Sequence, residues 1–264
     1  MDPSQLIAQF GEQQVAGFLL VLGRISPLFL LAPLFSSRLL PARARTVIAL
    51  GLTIGIAPLA VREAGGAVPL DPFGYFALMA KELLVGMAFS FALAALYAAV
   101  SVAGSLLDSL IGFSYGALVD PLTGNQSTVI SQLYSLVGLG VFIAISGESW
   151  VIQGLARTYD LIPLLEAPEM GSLVEGTQVA FAGVMGAAVQ VCAPVLLAIV
   201  ITDVAFGVVS RVVPQLNVFA VGFPAKVAVG VLMIGASLPF VGGWMGDELQ
   251  ATVSSALETL KVAG

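Results

Sequence analysis

Five charged side chains, Arg24, Lys81, Glu82, Asp203 and Lys226, lie within or at the margins of otherwise apolar runs. An unpaired charge at the centre of a bilayer costs at least about 2.5–3.5 kcal/mol, so each needs water, a partner or a protein neighbour. Two chemistries fit such a set. The charges can relay ions or protons, or they can pair between helices or subunits, and pairing is the simpler reading. Adjacent Lys81 and Glu82 project from different sides of a helix, so they are not expected to pair with each other.

Much other chemistry is excluded by composition. The chain has no histidine, which removes Ser-His-Asp and Cys-His catalysis, imidazole metal sites and histidine-ligated haem. Its single cysteine, Cys192, sits in an apolar run and reads as core packing, so no intramolecular disulfide and no Cys-rich metal cluster is available. No enzymatic activity, metal or cofactor is therefore expected. Asp160 and Asp247 faintly resemble an intramembrane aspartyl pair, but both lie outside the apolar cores and the Gly-x-Gly-Asp spacing is absent. A net charge of −6, with basic residues concentrated only in Arg38–Arg45, argues against nucleic acid as a partner.

The most unusual stretch is the glycine-punctuated segment from Gly112 to Ser127, with Phe113, Tyr115, Leu118, Val119 and the turn dipeptide Asp120-Pro121. Irregular backbone near membrane depth is tolerable only where protein buries it or where it lines a water-filled path. A plain connecting loop is the simplest reading, yet exposed loops seldom carry Ile111, Phe113, Tyr115, Leu118 and Val119 together. A loop that plugs a pore needs this mixture: apolar side chains exclude water and ions, and glycines let the backbone fold in a narrow space.

The elements that position these residues follow from the rest of the chain. Hydrophobic residues make up 58% of it and charged residues 10%, far from the roughly 25% charged of soluble domains. Six apolar regions, about 15–35, 46–61, 73–107, 128–146, 179–209 and 218–242, are apolar on every face, so the expected fold is an all-α membrane protein. The third and fifth exceed the roughly 20 residues of one crossing, so each must tilt steeply, break or be two joined helices. No typical cleavable signal peptide is expected at the start. Arg38, Arg43 and Arg45 mark a cytoplasmic turn, the acidic connection Gly147–Gln178 falls outside, and Ser210–Asn217 returns to the cytoplasm, which places both termini outside. Pro27, Pro33, Pro58, Pro194 and Pro224 can kink their helices, and the Gly51–Gly55 and Gly112–Gly116 spacings permit close helix approach.

Four segments together resemble the FliR family of flagellar export-gate proteins in type III secretion. They are Arg24–Phe35 with Leu40–Arg45, Lys81–Gly86, Val119–Ser127 and Pro214–Lys226, in that order over nearly the whole chain. The resemblance implies a subunit that assembles with FliP-like and FliQ-like partners, and with FlhB and FlhA, into a gate in the bacterial inner membrane at the flagellar basal body. Unfolded export substrates would pass through it. It also implies one domain over 1–264, divided into a FliP-like part (about 1–178), a FliQ-like helical hairpin (about 179–242) turning at Arg211–Asn217, and a C-terminal tail (243–264). In the family the apolar segments form tilted hairpins in a complex raised above the membrane plane. The family's plugging loop corresponds here to about Ile111–Gln126, with Ile111, Phe113, Tyr115 and Leu118 as candidate plug residues and Asp120 and Pro121 fixing the turn. A related family serves virulence injectisomes, but Phe219–Pro224 looks more like the flagellar branch. The rivals are a secondary transporter with helices broken at Pro27 and Pro194 and a midplane site at Asp203 and Lys226, and a purely structural scaffold.

Overall fold

The computed structural model describes residues 3–36, 40–113, 129–215 and 217–264, and every element in them is helical. In chain order the helices are α1 (Pro3–Leu31), α2 (Pro33–Ser36), α3 (Ala42–Glu63), α4 (Pro72–Ile111), α5 (Val129–Ala144), α6 (Gly147–Leu161), α7 (Met170–Val212) and α8 (Val218–Ala263). Five are long and apolar enough to cross a membrane, or six if α5 and α6 form one interrupted span. The chain is an all-α, multi-pass membrane protein, as composition predicts.

The helix boundaries have local causes. Asp71 precedes Pro72 at the start of α4 and accepts the Gly74 amide at 2.7 Å, so an N-cap carboxylate and a first-turn proline set that end together. Asn217 does the same for α8 through the Ala220 amide at 3.1 Å. Gly65, at φ +64°, ends α3, and Gly112, at φ +104°, ends α4; both backbones occupy the left-handed region where a side chain would be strained.

The helices belong to two compact units, one formed by Met1–Ala95, Ser146–Phe181 and Leu249–Gly264, the other by Leu96–Ile145 and Ala182–Glu248. In the first unit α1 packs against α3, and α3 against α6. Leu20, Ile25 and Leu28 of α1, Val85 and Phe89 of α4, and Leu155 and Tyr159 of α6 form its interior. In the second, Val100 and Leu107 of α4, Tyr134 and Phe142 of α5, Val195 and Ile199 of α7, and Ile234 of α8 are buried. α7 and α8 form an antiparallel hairpin there, Gln190 meeting Trp244 and Asp203 meeting Lys226.

The structure adds detail to three of these expectations. The connection Gly147–Gln178 contains α6 and the start of α7. α6 buries Val151, Leu155, Thr158 and Tyr159 while Ser149, Gln153, Arg157 and Asp160 are exposed, so an average over the window hides its buried stripe. The tail 243–264 is the continuation of α8, and Met245, Leu249, Val253, Ala256 and Leu260 are buried at helical spacing. The overlong third and fifth runs lie in α4 and α7, continuous over 40 and 43 residues, which leaves tilt among the expected alternatives; α8 is continuous over 46, and α7 and α8 pass through Pro194, Pro224 and Pro239. At 1.5 Å per residue each is about 60–69 Å long, roughly twice the hydrocarbon thickness of a bilayer.

Candidate functional site

The first unit holds a buried charged node built by α1, α4 and α6. Arg24 and Glu82 are fully buried, and Lys81 is 6% exposed. The Arg24 guanidinium donates to both Glu82 oxygens, Nε to Oε2 at 2.5 Å and a terminal nitrogen to Oε1 at 3.0 Å. It also donates to the Thr158 carbonyl (2.9 Å), the Thr158 hydroxyl (3.3 Å) and the Ile162 carbonyl (2.8 Å). These contacts use all five donors of the fork. Its face lies 4.2 Å above the centre of the Tyr159 ring, whose hydroxyl donates to the Val21 carbonyl.

Lys81 Nζ stands among the carbonyls of Pro163 (3.2 Å), Leu164 (2.6 Å) and Glu166 (3.1 Å) and is 2.6 Å from Glu82 Oε1. Lys81 and Glu82 therefore do pair with each other, contrary to expectation. Their Cβ atoms diverge, but the four-carbon lysine stem is long enough to bring the ammonium round to its neighbour. Two cations share one carboxylate, so the node carries an excess positive charge. It faces the C-terminal carbonyls of α6 and the strand of chain beyond them, where the helix dipole is negative. α6 has no basic residue in its own last turn, and Arg24 reaches its Thr158 carbonyl from another helix while Lys81 binds the carbonyls just beyond the helix end.

The node depends on close backbone approach. A Cβ at Gly86 would collide with the Arg24 carbonyl, and one at Gly23 would lie 2.7 Å from Met79 Sδ. Glu82 and Gly86 are four residues apart on one helix face, so the carboxylate and the gap that admits α1 arrive together. Gly51 and Gly55, picked out by their spacing, have nothing within 4 Å.

In the second unit Asp108, fully buried in the last turn of α4, accepts the Ile130 and Ser131 amides of α5 at 3.2 and 3.0 Å. Ser101 and Ser135 bond at 2.9 Å further along the same pair, and a Cβ at Gly104 would meet the Ser131 backbone. The chain before Gly112 and after Val129 is thereby fastened at both ends. Ile111 is the last residue of α4, 1% exposed, and packs where Gly230 of α8 leaves room. Phe113 is half-buried; Tyr115, Leu118, Asp120 and Pro121 lie outside the described residues.

Asp203 and Lys226 form a third ion pair, with Nζ 2.8 and 3.0 Å from the two carboxylate oxygens. The Asp203 side chain is half exposed. α1 and α7 are continuous through Pro27 and Pro194, so the broken helices of the transporter reading do not occur at those residues. The main-chain carbonyls around Lys81, together with Thr158 and Asp108, were not singled out by sequence reasoning. Only Asp108, a charge at the end of an apolar run, left a signal there.

No group of side chains that could hold a metal occurs among the described residues. Fold and node together define a multi-pass helical protein whose embedded charges are held by ion pairs and main-chain carbonyls of the same chain. The sequence matches the bacterial export proteins of family 1 over residues 15–252. It is 31% identical over 251 residues to the flagellar biosynthetic protein FliR of Bacillus subtilis (strain 168), covering 94% of this chain and 95% of that one. It is 26% identical over 218 residues to the FliR of Escherichia coli (strain K12), covering 83% and 82% of the two chains. It is 24% identical over 211 residues to the surface presentation of antigens protein SpaR of Shigella flexneri, covering 80% of each. The chain belongs to family 1 of the bacterial export proteins, the FliR family.

Proposed function

We propose that this chain is a non-enzymatic subunit of the flagellar type III export gate in the bacterial inner membrane. In this reading it joins FliP-like and FliQ-like subunits, with FlhB and FlhA, in a passage for unfolded flagellar proteins. Family membership carries the reading, and greater identity to a FliR than to a SpaR favours the flagellar over the injectisome branch. Exposed apolar faces support it. Half or more of the apolar windows of α1 and α4 is buried, but less than a third of those of α3, α7 and α8. Those three helices have surface left for neighbours.

The segment from about Ile111 to Gln126 serves as the plug. Its two ends are fixed by the Asp108 contacts and by Ile111 on Gly230, as a plug requires if it is to seal reproducibly. Differential contacts then hold the closed state until other components of the export machine shift it. Deleting Gly112–Gly124 is expected to leave the complex recoverable with FliP-like and FliQ-like partners while making membranes leak ions. Unchanged conductance in an assembled complex would refute the plug and leave a scaffold. Failure to recover those partners with the intact chain would refute the gate assignment.

A further inference from the structure

The carbonyl cage around Lys81 is itself covered by a distant part of the chain. Residues 162–166, which supply the Ile162 acceptor to Arg24 and three carbonyls to Lys81, lie between α6 and α7 with no helix of their own to hold them. The last turn of α8 lies over this strap. The Ala263 carbonyl accepts the Glu169 amide at 2.6 Å, and Gly264 comes so close to the Leu161 carbonyl that a Cβ there would collide. Leu260 and Ala263 are buried in one cluster with Val85, Ile162 and Leu173. Val85 is four residues beyond Lys81, on the same face of α4. A lysine amine desolvated in this way is stable only while all its acceptors stay in place, because losing some leaves a charge buried without partners.

We infer that residues 260–264 act as a latch on the 162–169 strap, and that closing this latch is what seals Lys81 and Arg24 inside the first unit. The first unit therefore cannot reach its final packing until residues 249–264 have been made and have returned to the helices begun near the start of the chain. Until then the cage is open and the Lys81 amine is accessible.

The chain has three lysines, Lys81, Lys226 and Lys261, which makes the latch measurable. Membranes containing the full-length chain are treated with an amine-acetylating reagent, and each lysine is quantified by mass spectrometry. In the unaltered protein Lys261 is expected to label readily and Lys81 to resist. In Leu260→Asp, labelling of Lys81 relative to Lys226 is expected to rise about tenfold or more, as for a local opening. Leu260→Ala gives a smaller rise in the same direction and decides the matter if the aspartate variant is cleared from the membrane. Gln13→Ala serves as the comparison: it removes the paired hydrogen bonds that hold Val68 to α1, also in the first unit, without touching the latch. Lys81 is expected to stay protected there. Persistent protection of Lys81 in the Leu260 variants, or equal exposure in Gln13→Ala, would overturn the latch.

Discussion

Glu82 is the single anion between two buried cations, and its removal is the most damaging residue-level change the structure identifies. Glu82→Gln keeps the shape but leaves Arg24 and Lys81 without a counter-charge and points an amide donor at two other donors. Breaking a buried pair from one side costs about 3–5 kcal/mol. The expected outcome is a large fall in the thermal midpoint of detergent-solubilised protein, followed by loss of helicity. Asp203→Asn is the comparison, because its pair is half exposed and has room to rearrange, whereas Glu82 is fully buried between two cations, so a smaller loss is expected; comparable losses in the two variants would contradict this account. At this scale the sequence was informative about which residues matter and poor about how they meet. Arg24, Lys81 and Glu82 stood out because charge is conspicuous in an apolar run. Their acceptors at Thr158, Ile162, Pro163, Leu164 and Glu166 are main-chain carbonyls, which every residue has.

At the scale of elements, glycine spacing says where helices can approach but not where they do. Gly86→Ala would drive a methyl into the Arg24 backbone, which cannot yield as a flexible side chain could. Overpacking of this kind costs about 1–3 kcal/mol, and less chain is expected in membranes even without partners. Gly51→Ala meets open space, and the gain in helix propensity of about 1 kcal/mol makes the isolated chain no less stable. If the exposed face of α3 is an assembly surface, the Gly51 variant is instead expected to lower recovery of partner subunits in co-purification at unchanged chain abundance. The six apolar regions were legible because each is uniformly hydrophobic. α6 and the end of α8 were not, because their apolar residues form one stripe each beside a polar face. Position by position the pattern was present: Leu249, Val253, Ala256 and Leu260 recur at intervals of three and four.

The whole molecule was the least legible. Neither compact unit is a continuous stretch of sequence, and the first draws its interior from the beginning, middle and end of the chain. Hydropathy reports what each segment needs to bury, not which distant segment will bury it. The family resemblance supplied the class of assembly without supplying these pairings.

The length of α4, α7 and α8 has a consequence for where such a protein can reside. A helix matched to the bilayer is sensitive to its thickness, and even a few ångströms of mismatch bring tilt, thinning or sorting. Helices of 40 to 46 residues have no single hydrophobic length to match. Reconstituted into phosphatidylcholine bilayers differing in thickness by about 10 Å, the chain is expected to keep the same thermal midpoint; a sharp optimum at one acyl-chain length would show that a short, fixed portion of these helices meets lipid. Without such an optimum, the long helices impose no preferred bilayer thickness on this protein.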